Sequence, residues 1–235
     1  MHVTLDNVWI LRSKLHRNIW ISGKKANWVI GNHDQWRIGS RIRPELMNAF
    51  NLITLTLPGV SVTYQGEEIG MTNTEISWED TVDPSGCNCG IDHYADRSCS
   101  RDPERTPMQW NNADDNAGFS SADKTWLPVN PNYKTVNVKS EMLDPYSHLN
   151  FLKTIMTTRS ADPAFDVGAV NIATQNNVMA YSRTVNPDFY TVFVVLVNFN
   201  TESTAVDFGG QFTETINTGF VIASTLGQDS QHPTG

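Results

Sequence analysis

Residues 26–70 constrain the fold most, because they pass from a strand-like pattern to a helix-like one and back. Residues 26–30 (ANWVI) form a short apolar run, which predicts a strand buried on both faces. Residues 43–57 place Pro44 in a first helical turn and repeat apolar side chains on one face, which predicts a helix. Residues 60–70 (VSVTYQGEEIG) predict a second strand. A strand, a helix and a second strand in this order build parallel sheets, so this part of the chain predicts an α/β fold.

A group of polar and charged side chains follows the first predicted strand. The sequence GNHDQWRIGSR occupies residues 31–41 and brings His33, Asp34 and Arg37 close behind the apolar run. Burying such groups costs free energy unless they are paired or contact a ligand. The α/β barrels place their functional sites at this end of their strands. The three side chains are therefore candidate site residues, although residues of these types can also simply cap the end of a strand.

The rest of the chain separates into a long polar segment and a β-rich tail. Residues 71–145 are rich in Asp, Asn, Ser, Gly and Pro, with tryptophans spaced through them, which favours an ordered functional loop. Residues 146–159 predict a helix. The later pattern predicts strands at 178–184, 190–199, around 203–208 and at 218–224. We therefore expect two domains, residues 1–162 and an all-β domain of residues 163–235.

Three separate motifs carry a resemblance to a known family: ANWVIGNHDQWRIGSR, VTYQGEEIGM and SRDPERTPMQWN, in this order along the chain. They resemble the α-amylase superfamily of glycoside hydrolases (family 13), and more closely its α-glucosidase or maltase branch, particularly the insect maltases. The similarity extends over about residues 20–225. It implies that residues 1–162 hold the last part of a (β/α)8 TIM barrel, with strands and helices seven and eight. Residues 163–235 then match the family's antiparallel C-terminal β-sandwich domain, which we expect to be incomplete.

The resemblance also implies roles for four residues. Asp34 matches the third catalytic carboxylate, which stabilises the transition state, and His33 matches a histidine that hydrogen-bonds the sugar in the cleavage subsite. Arg105, in the RTPMQW motif, matches an arginine that reaches the same non-reducing glucose, and Arg37 is expected to line the same pocket. A carboxylate can favour an oxocarbenium-like centre, provided that the interaction strengthens toward the transition state.

The activity that the resemblance implies is release of glucose from the non-reducing ends of maltose-like or sucrose-like α-glucosides by a retaining mechanism. In the family, the nucleophile and the acid/base follow barrel strands four and five, so we expect both to lie upstream of residue 1. Two other functions stay open. One is a non-catalytic ectodomain resembling the amylase-like heavy subunits of amino-acid transporters, and the other is a truncated product without a function of its own.

The expected partner is a disaccharide or small oligosaccharide, with neither a metal nor a cofactor in this segment. A net charge of −8 argues against a nucleic-acid partner, which would favour a basic face. No apolar run approaches the roughly 20 residues of a membrane-spanning helix, and other membrane association is left open. Because the family in insects is mostly extracellular, the resemblance implies an extracellular location.

The cysteines Cys87, Cys89 and Cys99 all lie in one polar stretch. Their spacing is a poor match to a zinc site, which uses paired ligands. A disulfide of Cys99 with either neighbour and a set of free thiols are both compatible with the sequence.

Two pairs of residues also leave alternatives open. Glu67 and Glu68 are adjacent, and on a strand they would point to opposite faces, which favours structural roles over a shared catalytic one. Trp110 and Trp126 could hold the long loop together or present aromatic faces to a sugar.

Overall fold

The computed structural model describes residues 25–88, 99–185, 192–208, 210–212 and 221–223. The strands are β1 (Asn27–Val29), β2 (Val60–Val62), β3 (Ala169–Gln175), β4 (Val178–Thr184) and β5 (Phe193–Asn198). The α-helices are α1 (Ile38–Arg41), α2 (Met47–Thr56), α3 (Pro84–Cys87), α4 (Val138–Leu143) and α5 (His148–Ala161). Short 3-10 helices lie at Pro44–Leu46, Glu67–Ile69, Asp102–Glu104, Pro131–Lys134 and Pro163–Phe165. Within these residues, no helix has the length and apolarity needed to cross a membrane.

Contacts divide the chain into two compact units. In the described part of the chain, the first unit holds residues 25–28, 49–62, 154–185, 192–208, 210–212 and 221–223, and the second holds residues 29–48, 63–88 and 99–153. This division combines segments from both sides of the boundary expected at residues 162 and 163. That boundary stays a prediction.

The core of the first unit is built on β4, the central strand of an antiparallel sheet in the order β3–β4–β5. All seven residues of β4 are buried, and its Tyr181 pairs with Ile172 of β3 and Val195 of β5. The Tyr181 hydroxyl forms a hydrogen bond with Thr56 at the end of α2. The buried core cluster consists of Leu57, Met179, Tyr181, Val195 and Val197. The sheet therefore shares one core with the end of α2.

Strand β3 is a feature that the sequence analysis missed. It forms a hairpin with β4, and the two residues between the strands, Asn176 and Asn177, have φ values of 51° and 62°. A two-residue turn with positive φ at both positions matches the right-handed twist of its strands, and asparagine tolerates this conformation. The Asn-Asn pair before VMAYSRT was the available signal for this hairpin.

The first predicted strand is present as β1, but the prediction that it is buried on both faces was wrong. Asn27 and Val29 are exposed, and Trp28 between them is half-buried. Among the described residues, β1 pairs in a two-stranded sheet with β2, whose Val60 and Val62 are also exposed. Two short strands cannot cover each other's faces, so their apolar side chains keep contact with solvent.

The second predicted strand is shorter than residues 60–70. It ends at Val62, and Glu67–Ile69 form a 3-10 helix. The glycines on either side, Gly66 and Gly70, have φ values of 90° and 62°, which break the extended backbone. Glu67 and Glu68 consequently lie on a helical turn and not on opposite faces of a strand.

The predicted tail strands have mixed outcomes. The one at 178–184 coincides with β4, and β5 lies inside the predicted range 190–199. Residues 203–208 form no strand, and within them Asp207 donates its backbone N–H to the Gln175 side chain. Of the range 218–224, only residues 221–223 are described, and they form no strand either.

The second unit contains α1 and the long polar segment, which has a defined path in residues 71–88 and 99–145. Asparagine side chains tie this segment together. Asn130 caps the helix Pro131–Lys134 and donates to the Asn73 carbonyl, and Asn137 caps α4. Polar side chains in loops commonly replace the missing backbone partners in this way.

Candidate functional site

A tight turn directly after β1 presents His33 and Asp34. The Asn32 side chain accepts a hydrogen bond from the Asp34 N–H at 2.8 Å, and Asn32 also forms a bridge with Gln35. The turn leaves the His33 side chain 68% exposed and the Asp34 side chain 50% exposed. Gly31, before the turn, is closely packed, since a Cβ there would lie 2.3 Å from the Glu67 carboxylate, which would have to move. The turn thus holds an imidazole and a carboxylate at the end of a strand.

Two arginines converge on the Asp34 carboxylate from the long polar segment. Arg105 donates to Asp34 Oδ1 from Nη2 at 2.9 Å and to the His33 carbonyl from Nε at 2.8 Å. Arg101 donates to the same Oδ1 from Nη1 at 3.0 Å. The structure therefore brings Arg105, His33 and Asp34 together. Arg101 was missed in the sequence analysis, although it stands in the quoted motif SRDPERTPMQWN.

The environment of Asp34 favours its ionised form. Partial desolvation raises the pKa of this carboxyl, but the hydrogen bond from Arg101, the charges of His33 and Arg101, and the hydrogen bond from Arg105 outweigh it. The pKa of Asp34 consequently lies below its ordinary value. The His33 Nε2 atom lies 3.4 Å from Asp34 Oδ2.

Arg101 itself is held by a buried carboxylate. Asp83 is 2% exposed and accepts from Arg101 Nε at 2.8 Å and from Nη2 at 2.7 Å. These hydrogen bonds hold the pKa of Asp83 far below its usual range. The carboxylates of Asp83 and Asp34 together raise the pKa of Arg101. The charges form a chain from Asp83 through Arg101 to Asp34.

Arg37, three residues after Asp34, is shielded from solvent. Its side chain is buried, with residue exposure of 1%, and it donates to the Gln65 carbonyl while its guanidinium lies 5.3 Å from the Tyr64 ring centroid. Burial lowers the pKa of Arg37. Among the described residues, its Nε and Nη2 atoms have no hydrogen-bond partner. The structure thus places the Arg37 side chain against Tyr64 and Gln65 and away from solvent.

A cavity of about 460 Å³ opens beside Arg105 in the second unit. Trp110 and Trp126 both contribute to its wall and are 48% and 54% exposed. The Trp126 indole donates to the Arg105 carbonyl at 3.0 Å and contacts Phe119 edge to face, with ring centroids 5.1 Å apart. The lining residues are Tyr64, Gln65, Glu68, Arg105, Thr106, Pro107, Met108, Trp110, Phe119 and Trp126. Exposed aromatic faces beside charged groups are suited to a ligand that has both apolar and polar surface.

Two buried carboxyl groups lie below the site. Desolvation raises the pKa of Glu67 to about 7, although the Tyr64 backbone N–H that it accepts acts in the opposite direction. Desolvation likewise raises the pKa of Glu104 to about 7. Both groups therefore change charge in a range where most carboxylates are already ionised.

Replacing Glu67 with Gln should flatten the dependence of stability on pH between about 4.5 and 7. Across this window the folded protein keeps a proton that the unfolded chain releases, so the free energy of unfolding falls as the pH rises. The Gln variant cannot titrate, and its difference from wild type should change by up to about 3 kcal/mol across the window. Urea unfolding at several pH values measures this difference, with the exposed Glu75→Gln as the matched control. A difference that stays constant with pH would contradict the assignment.

The cysteines and the possible metal ligands can be placed only in part. Cys99 is disulfide-bonded and Cys87 is free and exposed, whereas Cys89 lies outside the described residues. Within residues 25–88 and 99–185 and the short described stretches after them, no group of three or more His, Cys, Asp or Glu side chains is placed to hold a metal ion.

Curated proteins related to this chain include insect glucosidases. Maltase A1 of Drosophila melanogaster is 46% identical over 187 residues, which is 79% of this chain and 31% of that protein. The salivary alpha-glucosidase of Aedes aegypti is 42% identical over 192 residues, covering 81% of this chain and 32% of that protein. The amino acid transporter heavy chain SLC3A1 of Rattus norvegicus is 34% identical over 186 residues, which is 79% of this chain and 25% of that protein. This chain spans about a third or less of the length of these relatives.

Solved structures show the same relationship at lower identity. Isomaltulose synthase from Erwinia rhapontici NX5 superimposes with a TM-score of 0.71 at 27% identity, over 86% of this chain and 39% of that one. The family description "Alpha amylase, catalytic domain" matches residues 3–168, so the match begins earlier than the expected residue 20. Together these findings imply a TIM-barrel fold for the N-terminal part, followed by the antiparallel sheet. The chain belongs to the α-amylase catalytic-domain family of glycoside hydrolases.

Proposed function

We propose that this chain supplies the C-terminal part of the active site of a retaining α-glucosidase. The observation that carries the proposal is the Asp34 carboxylate, held at the end of β1 by Arg101 and Arg105. The relatives named maltase and alpha-glucosidase support the same reaction class. The substrate would be a maltose-like or sucrose-like disaccharide or a small oligosaccharide, with glucose released from its non-reducing end.

In this proposal, Asp34 acts on the positive charge that develops on the glucosyl ring. An oxocarbenium-like transition state has more positive charge than the substrate, so an ionised carboxylate in contact with the sugar stabilises it selectively. The arginines support this task because they keep Asp34 ionised. The exposed His33 and the half-buried Arg105 would donate hydrogen bonds to sugar hydroxyls. Arg37, which is buried, would act indirectly by supporting Tyr64 and Gln65 at the cavity wall.

The finer assignments of the fold belong to the same proposal. β1 and β2 would be strands seven and eight of the barrel, with α2 as the helix between them, and β3–β5 would belong to a C-terminal β-sandwich. No metal or cofactor is assigned to this segment. An extracellular location is supported by the relative described as salivary.

The second candidate is a non-catalytic ectodomain, which the 34% identity to an amino acid transporter heavy chain supports. The higher identity to Maltase A1, 46%, and the Asp34 arrangement favour the enzyme. Deciding between the enzyme and the ectodomain requires a protein that also contains the barrel segment that precedes the matched region in the relatives.

The test joins this chain to the segment of Maltase A1 that precedes the matched region, a protein called here the complete-barrel fusion. It is assayed with maltose, sucrose and a nitrophenyl α-glucoside, and NMR follows which anomer of glucose forms first. Release of α-glucose is expected, since a retaining enzyme keeps the anomeric configuration through two displacements. A cooperatively folded fusion with no turnover would overturn the enzyme proposal, and β-glucose as first product would overturn the retaining mechanism.

A further inference from the structure

Asp83 is a buried carboxylate that forms an ion pair with Arg101, and the proposed function does not use it. It precedes α3 and caps that helix, because its Oδ1 accepts from the Ser85 N–H at 3.2 Å. Its Oδ2 accepts from the Arg101 backbone N–H as well as from Arg101 Nε, each at 2.8 Å. Asp83 does not line the cavity, so direct contact with a ligand there is not its task.

The guanidinium of Arg101 donates hydrogen bonds to two carboxylates. Nε and Nη2 both bond to Asp83, and Nη1 bonds to Asp34. The guanidinium is planar and rigid, so two bonds along one edge fix the direction of the remaining nitrogen. Cys99 is disulfide-bonded two residues before Arg101, which further restricts the backbone there.

We propose that Asp83 is a positioning residue, which orients Arg101 so that its Nη1 atom bonds to the Asp34 carboxylate. This inference rests on the proposed function of Asp34 and adds a buried residue that acts on it through Arg101. Asp83 makes a two-bond contact with the guanidinium that is sheltered from solvent, whereas the Asp34 contact is half-exposed. The buried contact is the one that sets the geometry, since exposed single bonds constrain long side chains weakly.

Asp83 could instead have a purely electrostatic role, and the two roles predict opposite changes in the pKa of Asp34 when Asp83 is removed. If Asp83 merely neutralised part of the Arg101 charge, its removal would let Arg101 lower the pKa of Asp34 further. If Asp83 positions Arg101, its removal loosens the Nη1 contact and the pKa of Asp34 rises toward its ordinary value. The charged or titratable groups that act on Asp34 are His33, Arg101 and Arg105. The sign of the change therefore separates the two roles.

The test compares Asp83→Asn, Arg101→Lys and the double variant in the complete-barrel fusion. Asparagine keeps a capping oxygen for α3, and lysine keeps the charge of Arg101 but cannot bond both carboxylates in a fixed plane. The matched control is Asp80→Asn, which removes the same charge from an exposed residue of the same segment whose side chain bonds to Ser77. Carboxyl 13C NMR titration follows Asp34, whose signal is identified by its absence in Asp34→Asn, and kcat/KM is measured against pH.

Both single variants should raise the pKa of Asp34 and lower kcat/KM by about ten- to a hundredfold, as expected for a misplaced contact. The double variant should be no worse than the single ones, because Asp83 acts through Arg101. The control should stay close to wild type in both measurements. An Asp34 pKa that falls or stays unchanged in Asp83→Asn would overturn the proposal.

Two further outcomes are distinct. If Asp83→Asn fails to fold, Asp83→Glu gives the deciding measurement, because glutamate keeps the charge but moves the carboxylate by one methylene; an Asp34 pKa that is unchanged or lower in that variant overturns the proposal. If the wild-type fusion is folded but inactive, the proposed enzymatic function fails, while the titration of Asp34 still reports whether Asp83 positions Arg101.

Discussion

Replacing Asp34 with Asn should lower kcat of the complete-barrel fusion by about a hundredfold or more, while the protein stays folded. Asparagine has nearly the same shape and keeps an oxygen that can accept from Arg101 and Arg105. It lacks the negative charge, so the oxocarbenium-like centre loses a stabilising contact that the substrate ground state needs much less. A loss in kcat, and not only in KM, is the signature of an interaction made in the transition state.

The measurement is steady-state hydrolysis of a nitrophenyl α-glucoside, with thermal unfolding of each variant alongside it. Asp80→Asn serves again as the control for loss of one negative charge, and it should retain normal turnover. Hydrolysis by Asp34→Asn at a rate near wild type would refute the role given to Asp34.

The 235-residue chain assayed by itself should hydrolyse neither maltose nor a nitrophenyl α-glucoside. The proposed mechanism needs a nucleophilic carboxylate and a carboxylic acid beside Asp34, and the resemblance implies that these follow barrel strands four and five, whereas the motifs of this chain match strands seven and eight. General acid catalysis alone contributes roughly a hundred- to ten-thousandfold, and the covalent route also needs its nucleophile. We therefore expect the difference in hydrolysis rate between the isolated chain and the complete-barrel fusion to be larger than the difference caused by any single substitution.

Purified chain and fusion are compared at equal concentration, with the Asp34→Asn form of each as a blank. Turnover by the isolated chain that is absent from its Asp34→Asn form would show that the chain contains the missing catalytic groups. In that event, the cavity carboxylate Glu68 would be the first residue to examine.

Local pattern predicted the elements of this chain well where each could be recognised within a short window. The helix after Pro44 and strand β4 are examples, since both depend on apolar spacing over fifteen residues or fewer. The burial of β1 was predicted wrongly, because burial depends on what packs against a strand and ANWVI contains no information about its neighbours. Strand β3 was missed because AVNIATQ has few large apolar residues to signal it.

In the candidate site, too, the sequence predicted local features but not contacts between distant residues. His33, Asp34 and Arg105 were selected from motifs, but the contacts of Arg101 join residues 18 and 67 positions away in sequence. No periodicity encodes such pairings. The burial of Arg37 was also hidden, since its position close to Asp34 suggested the same exposed pocket, whereas the backbone turns its side chain toward Tyr64.

The convergence of Arg101 and Arg105 on one carboxylate oxygen has an evolutionary consequence. A mutation that replaces Asp34 by a neutral residue removes the anion that the two guanidinium groups share, although Asp83 still bonds to Arg101, and like charges close to one another repel. Lineages that abandon this carboxylate should therefore come under selection to replace one of the arginines as well. Asp34 and the two arginines should be lost together more often than separately. Their joint loss should therefore mark relatives that no longer cleave sugars and have another function.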